Sequence, residues 1–285
     1  MRSVVPVRGH VPGWEITVPS RPGGLPGVVM AGFSDRANEF RDLALVPHPA
    51  VTLLFDLGDE PFVIEDDHGS RQLGRVVAGL APRQVRGSGL TRRMECLQIR
   101  LSPMAAHAVL GASAELSGTV VALDDLWGRE AERVQERLRA ARSWEDRFAI
   151  ARDALARRAD EGRAADPEVA FSWRRMAASG GRVPVERLAA EAGWSRKRLW
   201  ARFRAQVGLT PKRVARLIRF DQAAHRLAAG ERAALVAAES GYADQSHLHR
   251  DVMTFAGVTP AAVALSPFLA VDDVAWPSGP PRDLA

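Results

Sequence analysis

The stretch that most limits what this chain can fold into runs from Pro184 to Ala256, where one pattern occurs twice. The first copy reads VERLAAEAGWSRKRLWARFRAQVG, and the second reads AALVAAESGYADQSHLHRDVMTFAG. In each, a short apolar segment stops at a glycine (Gly193, Gly241) and an aromatic follows (Trp194, Tyr242). Next comes an oxygen-bearing residue (Ser195, Asp244), and then a second helical segment. Glycine takes the left-handed backbone that ends a helix without a side-chain clash. Ser and Asp accept hydrogen bonds from the free N–H groups that open the next helix. One copy would suit any helical hairpin. Two copies in register predict two helix-turn-helix units.

The segment joining them begins at Thr210-Pro211, a capping residue with proline at the first helical position, and ends at Gly230. At about 1.5 Å per residue such a helix spans roughly 28 Å. One turn of B-DNA is about 34–36 Å. The second helices of the two units can therefore enter successive major grooves on one face of a duplex.

These residues resemble the DNA-binding domain of the AraC/XylS transcription regulators. The matching pieces are LAAEAGWSRKRLWARF, the link GLTPKRVARLIR, AAESGYADQSHLHR and the closing AGVTPAAV. They cover about the last third of the chain. The sequence departs from its relatives at Met253-Thr254-Phe255-Ala256, where many are basic before the Phe, and at Ala201, where a long polar residue is common. The resemblance implies double-stranded operator DNA as a partner, with RNA polymerase a further candidate. It also implies effector-dependent activation or repression. A double reader already spans two grooves, so both a monomer and a homodimer are open.

Charge agrees with that reading. Residues 182–262 hold 14 Lys and Arg against 7 Asp and Glu, which leaves 25 against 27 in the rest of the chain. A basic module on a near-neutral body is the footprint of a nucleic-acid binder. In the first unit Leu199, Phe203 and Val207 recur at core spacing, and Lys197, Arg198, Ala201 and Arg204 lie opposite, with Arg196 at the start. In the second, Leu248, Val252 and Phe255 form the core stripe, and Ser246 and Arg250 face away, flanked by Gln245 and His249. The base-reading candidates are therefore Arg196, Lys197, Trp200, Gln245, Ser246, His249 and Arg250. Lys and Arg can donate to guanine O6 and N7, and Gln can read adenine. Trp200 either packs at the core edge or touches a thymine methyl or sugar. For Arg250 the alternatives are a phosphate clamp or an intramolecular salt bridge. Ser195, Arg204, Lys212, Arg213 and Arg216, with Arg219, are candidates for phosphate contact, which supplies affinity rather than sequence choice.

Residues 1–125 read as a β-rich domain. WEITVP, PGVVMAGF, AVTLLFDL, PFVIED, GRVVAGL and MECLQIRL are short apolar runs separated by Gly, Pro and Asp, the pattern of a sandwich or small barrel. The family resemblance implies a cupin-like effector domain here, within an α+β chain. A ligand pocket would lie inside the barrel, with Trp14, Phe33, Phe55 and Phe62 as candidates to line it, packing in the core being the alternative. A barrel filled to its centre would instead mark a dimerisation or protein-interaction scaffold. His10, His48, His68 and His107 are scattered and never paired, which argues against a cupin metal site. There is no Gly-rich phosphate loop and no nucleophile or metalloprotease motif, so neither a cofactor nor an enzymatic activity is expected, a ligand-modifying enzyme domain fused to the DNA reader being the alternative.

The single cysteine, Cys96, excludes an intramolecular disulfide and reads as a packed small residue, with redox sensing the alternative. No apolar run approaches the ~20 residues of a membrane span, and no signal-peptide core opens the chain, so a cytoplasmic protein is expected. Residues 126–181 read as a helical connector, with Val134, Leu138 and Ala141 on one stripe and Trp144, Phe148, Ala151 and Leu155 on another. Such stripes pack within the chain or form a dimer interface. The reader spans 182–265, and the tail 266–285 holds Phe268, Leu269, Val274 and Trp276 as candidates to dock on the body, with its last ten residues loose.

Overall fold

Alternating apolar residues in the first hundred positions build two antiparallel sheets. The computed structural model describes residues 14–20, 24–35, 43–59, 61–66, 69–82, 85–88, 94–111, 114–162 and 164–276. The strands are β1 (Trp14–Thr17), β2 (Val28–Asp35), β3 (Leu43–Ala44), β4 (Val51–Asp56) and β5 (Val63–Glu65). They continue with β6 (Arg71–Leu73), β7 (Arg75–Ala78), β8 (Arg86–Ser88), β9 (Glu95–Leu101) and, after helix α1 (Pro103–Leu110), β10 (Val120–Ala122). One sheet has six strands in the order β1-β2-β9-β4-β7-β10, and the other has four in the order β3-β8-β5-β6. All six predicted runs are strands. The four that sequence reading missed, β3, β6, β8 and β10, have only two or three residues each, too few to show alternation.

Strand parity gives the large sheet two different faces. Phe33 stands opposite Cys96 on β9, and Phe55 stands opposite the next residue, Leu97. Successive side chains on a strand point to opposite faces, so Phe33 and Phe55 do as well. The inner face carries Ile16, Ala31, Phe33, Leu54, Val76 and Cys96, which meet Phe62, Ile64 and Val85 across the gap between the sheets. The outer face carries Leu53, Phe55, Val77, Leu97 and Ile99 and belongs to a second core, continuous with the helices.

Those helices begin with α2 (Asp124–Trp127), α3 (Arg129–Ala140), α4 (Trp144–Glu161) and α5 (Pro167–Ala178). Their apolar stripes are used inside the chain: Val134, Leu138, Phe148, Ala151 and Leu155 are all buried. Ala141 lies just past the end of α3. The Trp144 ring lies on β2 at Gly32, where a Cβ would come within 2.3 Å of it. Within the expected connector, α3 and α4 thus pack on the β domain, whereas α5 packs against the three helices that follow it.

The chain continues as α6 (Val185–Glu191), α7 (Arg196–Val207), α8 (Pro211–Ala228), α9 (Ala233–Glu239), α10 (Gln245–Ala256), α11 (Pro260–Ala264) and α12 (Pro267–Ala275). This all-α domain leans on the β domain through α1 and α7, and Ser117 Oγ donates to the Val207 carbonyl at 3.2 Å. The tail does dock. Leu269, Val271, Ala275 and Trp276 of α12 and its end are buried, and Val274 is half-buried. The Phe268 side chain and residues 277–285 lie outside the described residues. Among the described residues no helix is long and apolar enough to cross a membrane.

Candidate nucleic-acid interface and interior cavity

The repeated sequence pattern becomes a repeated set of hydrogen bonds. Gly193 and Gly241 have φ of +68° and +79°, the left-handed turn that lets the backbone double back. The next residue then donates five positions back in both units: Trp194 N to the Ala189 carbonyl at 2.9 Å, and Tyr242 N to the Ala237 carbonyl at 3.0 Å. Ser195 Oγ accepts from Arg198 N at 3.2 Å, and Asp244 Oδ1 accepts from His247 N at 2.7 Å. Thr210 caps α8 in the same manner, accepting from Arg213 N at 3.3 Å. The stripes Leu199, Phe203, Val207 and Leu248, Val252, Phe255 are buried against α8, where Phe220 packs on Phe255 with ring centroids 5.2 Å apart. Burying both inner stripes fixes which side chains of α7 and α10 face outward.

On α7 the outward residues are Arg196, Lys197, Arg198, Trp200, Ala201, Arg202 and Arg204. Lys197 is exposed, and among the described residues it has no hydrogen bond or ion pair. Arg196 pairs with the exposed Glu186 at 3.0 Å, and Arg198 stacks over Trp194 at 4.5 Å. Trp200 is 44% exposed, with the Arg204 guanidinium 5.4 Å from its ring, so it lies on the surface rather than at the core edge. Lys212, at the start of α8, is exposed on the same side of the chain as Glu186, whose carboxyl feels its charge. Arg213 is half-buried in the first turn.

On α10, Gln245, Ser246, His249 and Arg250 are exposed. Arg250 Nε donates to the Ser246 carbonyl at 3.3 Å, and among the described residues it has no carboxylate partner. His247 instead faces inward, edge-on to Tyr242 at 5.2 Å. Two arginines expected at phosphate, Arg216 and Arg219, have partners within the chain. Arg216 pairs at 2.7 Å with Asp251, which is 1% exposed, and so fastens α8 to α10. Arg219 donates to the Gly181 carbonyl at 3.0 Å and lies over Tyr242. Sequence could not show either, because both partners are distant in the chain.

Between the two sheets lies a cavity of about 110 Å³. Phe33 and Phe62 line it, as expected, together with Met94 and Cys96. Phe55 does not. It is on the outer face, tilted against Trp127 at 6.5 Å. Trp14 is on β1, but its side chain lies outside the described residues, as do His10 and His68. Burial, with Asp56 and Glu95 nearby, pushes the Cys96 thiol far above its ordinary range, which leaves it a poor redox sensor.

The cavity's polar end was not foreseen. Arg100, on the inner face of β9, reaches Asp272 of α12 at 2.6 Å, and its guanidinium lies 4.6 Å from the Trp276 ring. Asp272 Oδ1 also accepts from Trp276 Nε1 at 3.2 Å, and Oδ2 lies 3.6 Å from His225 Nε2 on α8. His48 completes the cluster and shares a 2.9 Å hydrogen bond with Thr52. Burial alone would raise the Asp272 carboxyl, but Arg100 and His225 hold it well below the usual range. Burial likewise opposes charge on His225, yet the neighbouring Asp272 and Asp221 carboxylates push its pKa up to about 9. The sequence clue was an Arg on the same strand face as Cys96 in MECLQIRL. Among the described residues no three His, Cys, Asp or Glu side chains converge as a metal site.

Residues 188–265 match a family model described as a helix-turn-helix domain, which spans both units. No curated protein matches the chain. Among solved structures the chain is similar to ToxT from Vibrio cholerae O395, at 10% identity over 86% of this chain and 98% of that one, with a TM-score of 0.47. Unsaturated fatty acid bound wild-type ToxT from Vibrio cholerae strain SCE256 gives 10% identity, 86% and 98% coverage and a TM-score of 0.47. The AraC-like transcriptional activator CuxR gives 14% identity, 72% and 84% coverage and a TM-score of 0.27. Likeness at this level assigns no residue a role.

Proposed function

The C-terminal domain is a helix-turn-helix domain of the AraC/XylS type, and from that premise we propose that the chain is a sequence-specific transcription regulator whose β domain binds a small-molecule effector. The observation that carries the first part is the pair of capped helices, α7 and α10, mounted on one 18-residue helix with their polar rows turned outward. Helix α8 spans about 27 Å, close to one turn of duplex. In this reading Lys197 and Arg250 contact base edges, with Arg196, Trp200, Gln245, Ser246 and His249 around them. Ser195, Arg204, Lys212 and Arg213 contact phosphate.

The cavity between the sheets supports an effector site over a purely structural scaffold. It is enclosed mainly by apolar side chains with few polar groups, the composition of a small-molecule site. The first test is fluorescence anisotropy of the protein on its own upstream DNA, against scrambled competitor and across a salt series. Binding that survives competitor is the expected result. Absence of binding even at low salt would sink the DNA-binding reading.

A further inference from the structure

Helix α12 sits where a ligand would. It fills one side of the gap between the sheets with Val271, Ala275 and Trp276, and its Asp272 supplies the anion that Arg100 needs. Arg100 is 7% exposed, so the cost of burying its charge is offset by that partner. The partnership is incomplete. Only Nη2 of the guanidinium meets Asp272, while the buried Nε has no acceptor, and neither does Nδ1 of His48 on the same cavity wall. A guanidinium offers two parallel N–H groups, and a free carboxylate can take both. A side chain tethered to a helix here takes one.

We propose that Arg100 is the anion-binding end of the effector site, that Asp272 is its built-in occupant, and that an apolar monocarboxylic acid entering the cavity displaces Asp272 and releases α12. The proposal rests on the effector-binding reading above. The acid's carboxylate engages Nε and Nη2 of Arg100, and its apolar body lies against Phe33, Phe62 and Met94. The cavity of about 110 Å³ is smaller than the roughly 150 Å³ that admits benzene. Withdrawal of Val271 and Asp272, both of which line it, supplies the missing room. Asp272 also faces His225 near the end of α8, and α12 packs on α8, so its departure removes a strut from the helix that carries both readers. The site thereby connects to the DNA-binding surface through a segment of the chain itself.

The test uses the full chain with hexanoate, octanoate and benzoate, each against its neutral amide. Binding is followed by calorimetry and the state of α12 by hydrogen exchange of residues 267–276. At least one acid is expected to bind about tenfold or more tightly than its amide, the factor of one hydrogen bond to a charged group. It should also raise exchange in that segment. Asp272→Asn, which removes the competing charge and keeps the shape, should tighten acid binding and leave amide binding little changed. Equal binding of acid and amide, binding of none of the six, or acid binding with 267–276 still protected would each overturn the proposal. The wild-type acid and amide comparison decides the chemistry even where the variant fails to fold. Anisotropy with and without the acid separates the two readings. A neutral compound that binds and alters DNA affinity would keep effector control and sink this inference. An acid that frees α12 without altering DNA affinity would do the reverse.

Discussion

The two helix-turn-helix units share their caps and buried stripes but are fastened to the chain differently. The first recognition helix, α7, is crowded with Arg196, Lys197, Arg198, Arg202 and Arg204. It leans on the β domain through α1 and Ser117, and on α5 through the Arg202–Asp166 pair at 2.7 Å. The second, α10, shows one exposed arginine among Gln245, Ser246 and His249. It packs on α8, α9 and α11 and is held by the Asp251–Arg216 pair. A crowd of cations draws a helix to any phosphate backbone, whereas neutral amide and hydroxyl groups gain little until they meet the right base edge. Equal folds can therefore divide the work, with more of the affinity on α7 and more of the discrimination on α10. A change in the β domain reaches α7 by direct contact and α10 by way of α8.

The largest expected effect separates the two fastenings. Asp251 is buried and its loss leaves Arg216 without a partner, although the Arg216 side chain is a third exposed and can turn toward water. Asp251→Ala should therefore cost about 3 kcal/mol, the lower end for a broken buried pair. The matching change in the first unit, Asp166→Ala, breaks a surface pair and should cost little, since exposed pairs are weak. Urea unfolding of both variants checks this. Similar losses would mean that the two readers are held alike.

Next in size is the division of base reading. Arg250→Ala should cost ~1–3 kcal/mol on the preferred operator and relax choice at one base pair in the half-site read by α10. Lys197→Ala should act in the other half-site. Binding to a set of single-base operator variants gives both values. An equal loss for Arg250→Ala on every sequence would reassign it to phosphate and take discrimination away from the second unit.

The parts of this comparison that were legible in the sequence are the local ones. Ser195, Thr210 and Asp244 cap the very helices they were expected to cap, because a cap depends on three or four neighbouring residues. The core stripes were readable for the same reason, through the helical repeat. Facing was not readable in β4, where all six residues are buried and no polar alternation marks the inner side, so Phe55 could not be told from Phe33. Ion pairs such as Arg216–Asp251 and Arg100–Asp272 join residues 35 and 172 positions apart. Nothing in a linear pattern says which charged group a folded chain will bury beside which other.

The smallest effect probes the affinity side of the comparison. A lysine that neutralises one phosphate releases about one counterion, so Lys212→Ala should lower the slope of log K against log salt by about one and weaken all sequences alike. Arg216 carries the same charge one turn further along α8, yet that charge is already spent on Asp251. Replacing both members together, Arg216→Met with Asp251→Leu, removes the pair without orphaning either partner and should leave the slope unchanged. Anisotropy titrations from low to moderate salt measure both slopes. If the double replacement also lowered the slope, Arg216 would leave Asp251 for phosphate when DNA binds, and the second unit would contribute electrostatic affinity that its free structure conceals.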